Sequence, residues 1–169
     1  RKIVIIGDHG HDEVEAIADQ VENPVIISSK EEAMKIKRTR KIGVVSQSTQ
    51  MIENVQEIIN TLMTRIVDIR FINTICYPTK RNHEQIKELS KTSDIMIIIG
   101  SFTSANSKRL TELSKQRNKN TYQVTCAEDI KESWFENIEK VGISAGASTP
   151  DYLIEGVERK IKMIAKERE

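Results

Sequence analysis

The stretch Asp94–Leu110, DIMIIIGSFTSANSKRL, decides the fold of this chain. It begins with an unbroken apolar run, Ile95–Ile99, which is too short for a helix and rich in β-branched residues. Such a run is typical of a strand buried on both faces in a parallel sheet. Gly100 ends the run, and helical spacing resumes at Leu110 and Leu113. The stretch therefore predicts a buried strand, then a polar loop, then the N-terminus of a helix.

The loop in this stretch is rich in small polar side chains. Free backbone N–H groups and the positive end of the helix dipole make such a junction a natural site for an anion. The simpler alternative is that the side chains only cap the helix. A cap needs one hydroxyl or amide, and the loop has five, so the pattern favours a phosphate or diphosphate site. The five residues are Ser101, Thr103, Ser104, Asn106 and Ser107.

Apolar runs and helical patterns alternate along the whole chain. Strands are expected near residues 3–6, 25–27, 41–45, 66–75, 95–99, 121–124 and 140–144. Helices are expected near residues 12–21, 30–36, 51–66, 82–92, 106–117, 131–138 and 151–167. This alternation predicts parallel sheets joined by right-handed crossovers. We expect two small three-layer α/β units, residues 1–73 and residues 74–169.

Composition restricts the partners of the chain and the compartment in which it works. The 169 residues carry a net charge of +1 with acids and bases interspersed, which argues against nucleic acid as a partner. No apolar stretch approaches the roughly 18 residues of a membrane span, and no signal-peptide pattern is visible. Two cysteines are too few for a disulfide scaffold. We therefore expect a cytoplasmic protein that has no membrane partner.

Three predicted strands end in clusters of hydroxyl residues, at Val44–Thr49, Ile98–Ser107 and Gly142–Pro150. Ligands of open α/β sheets bind beyond the carboxyl ends of the strands. Helix capping explains any one cluster, but the coincidence of three favours a shared site. We expect five side chains to surround one anionic ligand, namely Ser48, Thr49, Ser104, Asn106 and Ser148.

The loop GDHGHDEVE, residues 7–15, follows the first predicted strand and is rich in histidines and carboxylates. Such a cluster could bind a metal ion or serve proton transfer. For Asp12 and Glu15 we favour a solvated helix start, because acids are favourable at the positive end of the dipole. His11 and Glu13 are the functional candidates, because they lie two residues apart at a loop tip beside the predicted anion site.

The two cysteines differ in their sequence context. Cys76 lies in TICYPTKRN, just before a predicted turn that contains Pro78. A lone cysteine is commonly a small buried apolar residue, yet a strand-to-loop position also suits a metal or cluster ligand. Cys126 has no partner motif and is expected to be structural. His83, among charged neighbours at a helix start, is expected to be solvated.

Several of these motifs occur in the same order in one enzyme family. They are GHDEVE, VVSQSTQ, TIC with a threonine three residues on, GSFTSANSKRL and VGISAGASTPDYLIEGV. Because it has these motifs, the chain resembles the LytB family, 4-hydroxy-3-methylbut-2-enyl diphosphate reductase. The resemblance runs from the start to about Arg159. It implies the last step of the non-mevalonate isoprenoid pathway, in which this diphosphate is converted to isopentenyl and dimethylallyl diphosphate.

The resemblance also implies an architecture and a cofactor. The family has three similar α/β units around a central cavity, and each unit contributes one cysteine to a 4Fe–4S cluster. This chain resembles the second and third units, and Cys76 matches the third cluster cysteine. The family's N-terminal unit and second-cysteine segment have no counterpart here, so we expect the chain alone to be inactive. Reduced ferredoxin or flavodoxin is the implied electron donor.

The family motifs assign roles to individual residues. By resemblance Glu13 is the catalytic residue that delivers protons to the bound substrate, and His11 contacts the diphosphate. Ser48, or its neighbour Thr49, holds water near the substrate hydroxyl. Thr79 falls near the substrate, and the diphosphate pocket comprises Ser104, Asn106 and Ser148.

The chain departs from the family pattern at two places. Ala105 stands where the family has a second serine, which removes one hydroxyl from the pocket. After Thr79 the family commonly has Arg-Gln two residues on, whereas Arg81, Asn82 and His83 stand in this region. We therefore expect the start of the following helix to differ from that of the family.

Overall fold

The structure, a computed structural model, describes residues 1–167. The strands are β1 Lys2–Ile6, β2 Val25–Ile27, β3 Lys41–Ser46, β4 Asp68–Phe71, β5 Ile95–Ile99, β6 Thr121–Val124 and β7 Val141–Ala145. The helices are α1 Asp12–Ala18, α2 Lys30–Lys35, α3 Ile52–Met63, α4 Tyr77–Thr92, α5 Ala105–Lys115 and α6 Asp151–Lys166. Two 3₁₀ turns, Ala127–Asp129 and Glu132–Phe135, lie between β6 and β7.

The described residues divide into two units, the first from Arg1 to Lys80 and the second from Arg81 onward. The sheet of the first unit has the order β2-β1-β3-β4, and that of the second has the order β6-β5-β7. Each described strand pair is parallel. Parallel neighbours need crossover connections, which the helices between the strands provide. The predicted class, two small α/β units with parallel sheets, is confirmed.

Each unit has its own apolar core. In the first unit Val55, Ile58 and Leu62 of α3 pack with the inward side chains of β1 and β3. In the second unit all five residues of β5 are fully buried. Successive side chains of a strand point to opposite faces, so burial of all five shows that the apolar run is covered on both faces, as predicted. Among residues 1–167 no helix has the length and apolar content needed to cross a membrane.

The helix after Cys76 begins earlier than the sequence predicted. It starts at Tyr77 rather than near residue 82, so that Pro78 lies in its first turn, where a missing N–H costs nothing. His83, predicted to be solvated, is therefore well inside the helix and only 4% exposed. That prediction was wrong because the buried face of α4 is largely polar. Four buried residues follow one another at helical spacing on it, namely Thr79, His83, Ile86 and Ser90.

Two other predicted elements are shorter than expected. The strand β4 covers Asp68–Phe71 rather than residues 66–75, because Ile66 still donates its N–H to Leu62 at the end of α3. In place of the helix predicted near residues 131–138, the chain forms the 3₁₀ turn Glu132–Phe135. Trp134 and Phe135 are adjacent in sequence rather than at helical spacing, and both pack into the core of the second unit. The Trp134 ring stacks on Tyr122 with ring centroids 4.1 Å apart.

Candidate functional site

The loop after β1 carries His11 and Glu13 into the first turn of α1. His11 is the N-cap of this helix, and its Nδ1 accepts the backbone N–H of Glu13 at 3.2 Å. Gly10, with φ of 72°, lets the loop turn sharply before the helix. Both candidate side chains are half-buried, whereas Asp12 and Glu15 are exposed, in line with their predicted solvation.

The carboxylate of Glu13 is held by Ser48 at the end of the neighbouring strand β3. The backbone N–H of Ser48 donates to Glu13 Oε1 at 2.7 Å, and the Ser48 hydroxyl donates to Oε2 at 2.8 Å. The two residues meet because β1 and β3 are adjacent parallel strands that end at the same sheet edge. The carboxylate is thus fixed in orientation by two short hydrogen bonds to one residue.

Cys76 also contacts Ser48, through the main chain. Its backbone N–H donates to the Ser48 carbonyl at 3.0 Å. Its Sγ lies 2.7 Å from Oγ1 of Thr79, which is 7% exposed. The structure therefore links Glu13, Ser48, Cys76 and Thr79 in a continuous chain of contacts, within the first unit.

Gln47 is a residue of this site that sequence reasoning missed. It is fully buried, and its Oε1 accepts the backbone N–H of Asp8 at 3.0 Å. Its Nε2 donates to the hydroxyl of Thr49 at 3.1 Å. Gln47 therefore joins the histidine-bearing loop to the loop after β3. The available signal was a polar residue directly after a buried strand.

The second unit presents the loop after β5. Ser104 is the N-cap of α5, and its Oγ accepts the backbone N–H of Ser107 at 3.3 Å. Helix capping therefore describes Ser104 in this structure. Asn106 is half-buried in the first turn of the helix, next to Ala105.

The loop after β7 packs against the same helix turn. Gly146 donates its N–H to the carbonyl of Ile99 at 2.9 Å, and the hydroxyl of Thr149 donates to that carbonyl at 3.1 Å. The Oγ of Ser107 fills the space between Gly100 and Gly146, where a Cβ on either glycine would collide with it. Ser148 is exposed at the tip of this loop. The ends of β5 and β7 thus bring Ser104, Asn106 and Ser148 to one edge of the sheet.

The residues that depart from the family pattern have defined contacts. Asn82 donates through Nδ2 to the carbonyl of Ala145 at 3.3 Å. Its Oδ1 accepts the hydroxyl of Ser144 at 3.4 Å, so Asn82 binds the end of β7 from α4. Arg81 is exposed. These contacts anchor α4 to the strand that leads into the Ser148 loop.

The alternative of a metal ion at the histidine-rich loop receives no support. No group of three His, Cys, Asp or Glu side chains able to hold a metal occurs among residues 1–167. His9 instead contacts both carboxylate oxygens of Glu32, at 3.1 and 3.0 Å. The backbone N–H of Ser28 and then His9 lower the pKa of Glu32 below its usual value.

Comparison with known proteins identifies the family. Residues 1–162 match the family described as LytB protein. The chain belongs to the LytB family. It is 40% identical to the 4-hydroxy-3-methylbut-2-enyl diphosphate reductase of Geotalea uraniireducens (strain Rf4), covering 98% of this chain and 59% of that relative. It is 42% identical to the reductase of the same name from Campylobacter lari, covering 98% of this chain and 60% of that relative.

Two solved structures are also similar to this chain. A structure of (E)-4-hydroxy-3-methyl-but-2-enyl diphosphate reductase is 36% identical with a TM-score of 0.56, covering 96% of this chain and 59% of that one. The reductase from Plasmodium falciparum has a TM-score of 0.84 at 22% identity, covering 96% and 52%, and supports the fold alone. This chain thus spans about three-fifths of the length of the curated LytB relatives it matches.

Proposed function

We propose that this chain is the part of a 4-hydroxy-3-methylbut-2-enyl diphosphate reductase that carries the proton donor and most of the diphosphate pocket. The reaction removes the allylic hydroxyl as water, taking up two electrons and two protons, and gives isopentenyl and dimethylallyl diphosphate. One observation carries the proposal, the chain of contacts from Glu13 through Ser48 to Cys76. These contacts connect a carboxylate of fixed orientation to a cysteine. They lie at the carboxyl ends of parallel strands, where ligands of α/β sheets bind.

Cys76 and its surroundings suit the ligand of one iron atom of an iron–sulfur cluster. Cys76 is a partly exposed free thiol at a strand-to-helix junction, and a hydroxyl 2.7 Å away can donate to its thiolate. A cluster needs further thiolates, because Cys76 is the one cysteine in this group of contacts. When bound, a 4Fe–4S cluster would supply the electrons and a Lewis-acid contact to the substrate oxygen.

Glu13 is the proposed proton donor to the leaving oxygen. Its carboxyl is oriented by both hydrogen bonds from Ser48, so a proton on it would be presented in a fixed direction. The hydroxyl of Ser48 can also hold a water molecule close to the substrate hydroxyl. The hydroxyl of Thr79 contacts the thiol of Cys76 and is the last member of this group of contacts.

The diphosphate is proposed to bind at the start of α5 in the second unit. For His11 of the first unit, a diphosphate contact is the role that the family motif implies. Asn106 and Ser148 offer an amide and a hydroxyl, and Ser104 is the N-cap of α5. An anion at this helix start gains from the free N–H groups and the dipole. Ala105 leaves the pocket with one hydroxyl fewer than the family pattern provides.

The second candidate function is a diphosphate-binding module without catalysis. The observation in its favour is the single cysteine in the contact chain, where the family uses three. The complete reading frame discriminates the two, because a reductase requires two further cysteines that precede this segment. Under the reductase proposal, reduced ferredoxin or flavodoxin supplies the electrons.

The test is anaerobic reconstitution of the full-length protein with iron and sulfide. Chemically reduced methyl viologen then supplies electrons, and mass spectrometry follows conversion of 4-hydroxy-3-methylbut-2-enyl diphosphate to the two products. We expect turnover by the full-length protein, whereas the 169-residue chain alone should retain no stoichiometric cluster. A reconstituted full-length protein that binds inorganic pyrophosphate but forms neither product would favour the non-catalytic module.

A further inference from the structure

The segment that leads from β4 to Cys76 continues beside β3 after the paired strands have ended. Ile72 donates its backbone N–H to the carbonyl of Val44 at 2.9 Å, and Cys76 donates to the carbonyl of Ser48 at 3.0 Å. Both contacts keep the register of the strand pair, in which Val44 lies opposite Phe71. The position of Cys76 is therefore set by how well this segment stays aligned with β3.

Between these two contacts the alignment depends on a side chain. The Oγ1 of Thr74 accepts the backbone N–H of Ser46 at 2.8 Å and donates to the carbonyl of the same residue. It also lies 3.2 Å from the Ser46 hydroxyl. Ser46 is fully buried, so its main-chain groups need partners, and one hydroxyl meets both needs.

We propose that Thr74 is a positioning residue for Cys76. Its hydroxyl replaces main-chain pairing at the centre of residues 72–76 and so keeps the backbone of Cys76 paired with Ser48. The inference rests on the proposed function, in which Cys76 is a cluster ligand. It goes beyond that function because Thr74 touches neither the substrate nor the cluster and acts through the segment that it anchors.

The geometry separates this role from ordinary core packing. Thr74 is exposed, and its contacts with Ser46 are made through the hydroxyl. Valine has almost the same shape as threonine, but its side chain can neither accept nor donate a hydrogen bond. The serine hydroxyl can do both. Thr74→Val and Thr74→Ser therefore isolate the hydroxyl. A matched control is Thr64→Val, which removes an exposed hydroxyl that donates to the carbonyl of Thr61, far along the chain from Cys76.

The experiment measures alkylation of Cys76 by iodoacetamide in the metal-free full-length protein, with peptide-resolved mass spectrometry. We expect Thr74→Val to raise the Cys76 rate by about five- to thirtyfold, the factor that corresponds to losing one or two hydrogen bonds. Thr74→Ser and Thr64→Val should stay near the wild-type rate. After reconstitution, Thr74→Val should also retain less iron per chain than Thr64→Val at equal thermal stability.

An unchanged Cys76 rate in Thr74→Val, or an equal rise in Thr74→Ser, would overturn the proposal. If Thr74→Val does not fold, hydrogen exchange of the wild-type protein decides instead. A Cys76 amide protected to the same degree as that of Ile72 supports the alignment, and an unprotected Cys76 amide contradicts it. A wild-type protein that binds no iron contradicts the proposed function but leaves the alkylation comparison valid.

Discussion

At the scale of single residues, the contact between Glu13 and Ser48 makes Glu13→Gln a conservative test of proton delivery. Glutamine keeps the shape and can accept the Ser48 N–H through its remaining oxygen. It cannot deliver the carboxyl proton. We expect turnover of the reconstituted full-length enzyme to fall by about 10²- to 10⁴-fold while substrate affinity changes little.

The control for this prediction is Glu15→Gln, two residues along the same helix. Glu15 is exposed, and its carboxylate accepts only a 3.3 Å contact from the N–H of Gly10 among its described hydrogen bonds. Steady-state kinetics should separate the two variants by turnover rather than by KM. Equal losses in both variants would disprove proton delivery by Glu13 and make His11 the better candidate.

The amide of Asn106 should contribute mainly to binding. An uncharged donor to an anion is worth about 1.5–3 kcal/mol, so Asn106→Ala should weaken affinity for the substrate by that amount. Isothermal titration of the full-length protein with the diphosphate substrate measures it. Asn60→Ala, an exposed asparagine in α3, is the matched control. A fall in turnover at unchanged affinity would contradict the assignment of Asn106 to the diphosphate pocket.

At the scale of elements, Ser104 has a structural task besides its proposed place in the pocket. Its hydroxyl caps α5, so Ser104→Ala should lower the free energy of unfolding of the second unit by about 1 kcal/mol. Ser104→Gly should cost only a few tenths of a kcal/mol, because glycine is also tolerated at an N-cap. Urea denaturation compares the two variants. Equal stability of Ser104→Ala and the wild type would show that the cap contributes nothing.

Asp94 stabilises the start of β5 in a pH-dependent way. The backbone N–H groups of Lys140 and Glu139 donate to its carboxylate and lower the pKa of Asp94. A carboxyl with a lowered pKa in the folded state stabilises above its unfolded pKa, and this stabilisation is lost as pH falls through the folded pKa.

We therefore expect Asp94→Asn to be less stable than the wild type at about pH 7 and nearly equal to it at about pH 2, where the carboxyl is protonated. Urea denaturation across this range measures the difference. A stability gap that stays constant with pH would rule out the proposed role of the ionised carboxylate.

The elements that the sequence predicted well are those with a clear apolar pattern. The run Ile95–Ile99 and the spacing Val55, Ile58, Leu62 specify their strand and helix directly. The start of α4 was missed because Thr79 and His83 occupy its buried face, where hydrophobic periodicity gives no signal. The 3₁₀ turn that contains Trp134 was missed because Trp134 and Phe135 are adjacent, and hydrophobic periodicity does not indicate such a turn.

Local sequence patterns also predicted only part of the candidate site. Its residue types pointed to His11, Glu13 and Ser48, but the contact of Glu13 with Ser48 depends on strand order, which local patterns do not contain. Gln47 was missed because a buried amide looks like any other polar loop residue in a sequence.

At the scale of the whole molecule, the two separate cores predict separable stabilities. Leu62→Ala removes a fully buried side chain from the first unit, and Ile97→Ala removes one from the second. Each should cost about 2–5 kcal/mol, chiefly in its own unit. Hydrogen exchange resolved by peptide should show faster exchange around β1 and β3 in one variant and around β5 and β7 in the other. Uniform loss of protection in both variants would indicate a single cooperative unit.

The packing of Ser107 between Gly100 and Gly146 has a consequence for laboratory evolution of this chain. A Cβ at Gly146 would lie 2.6 Å from Ser107 Oγ, and one at Gly100 would meet the same oxygen. Any saturation library at these positions therefore samples mostly side chains that displace the loop backbones. Variation is better directed to exposed positions on the same loops, for instance Phe102 or Ser148, whose side chains are not enclosed in this way.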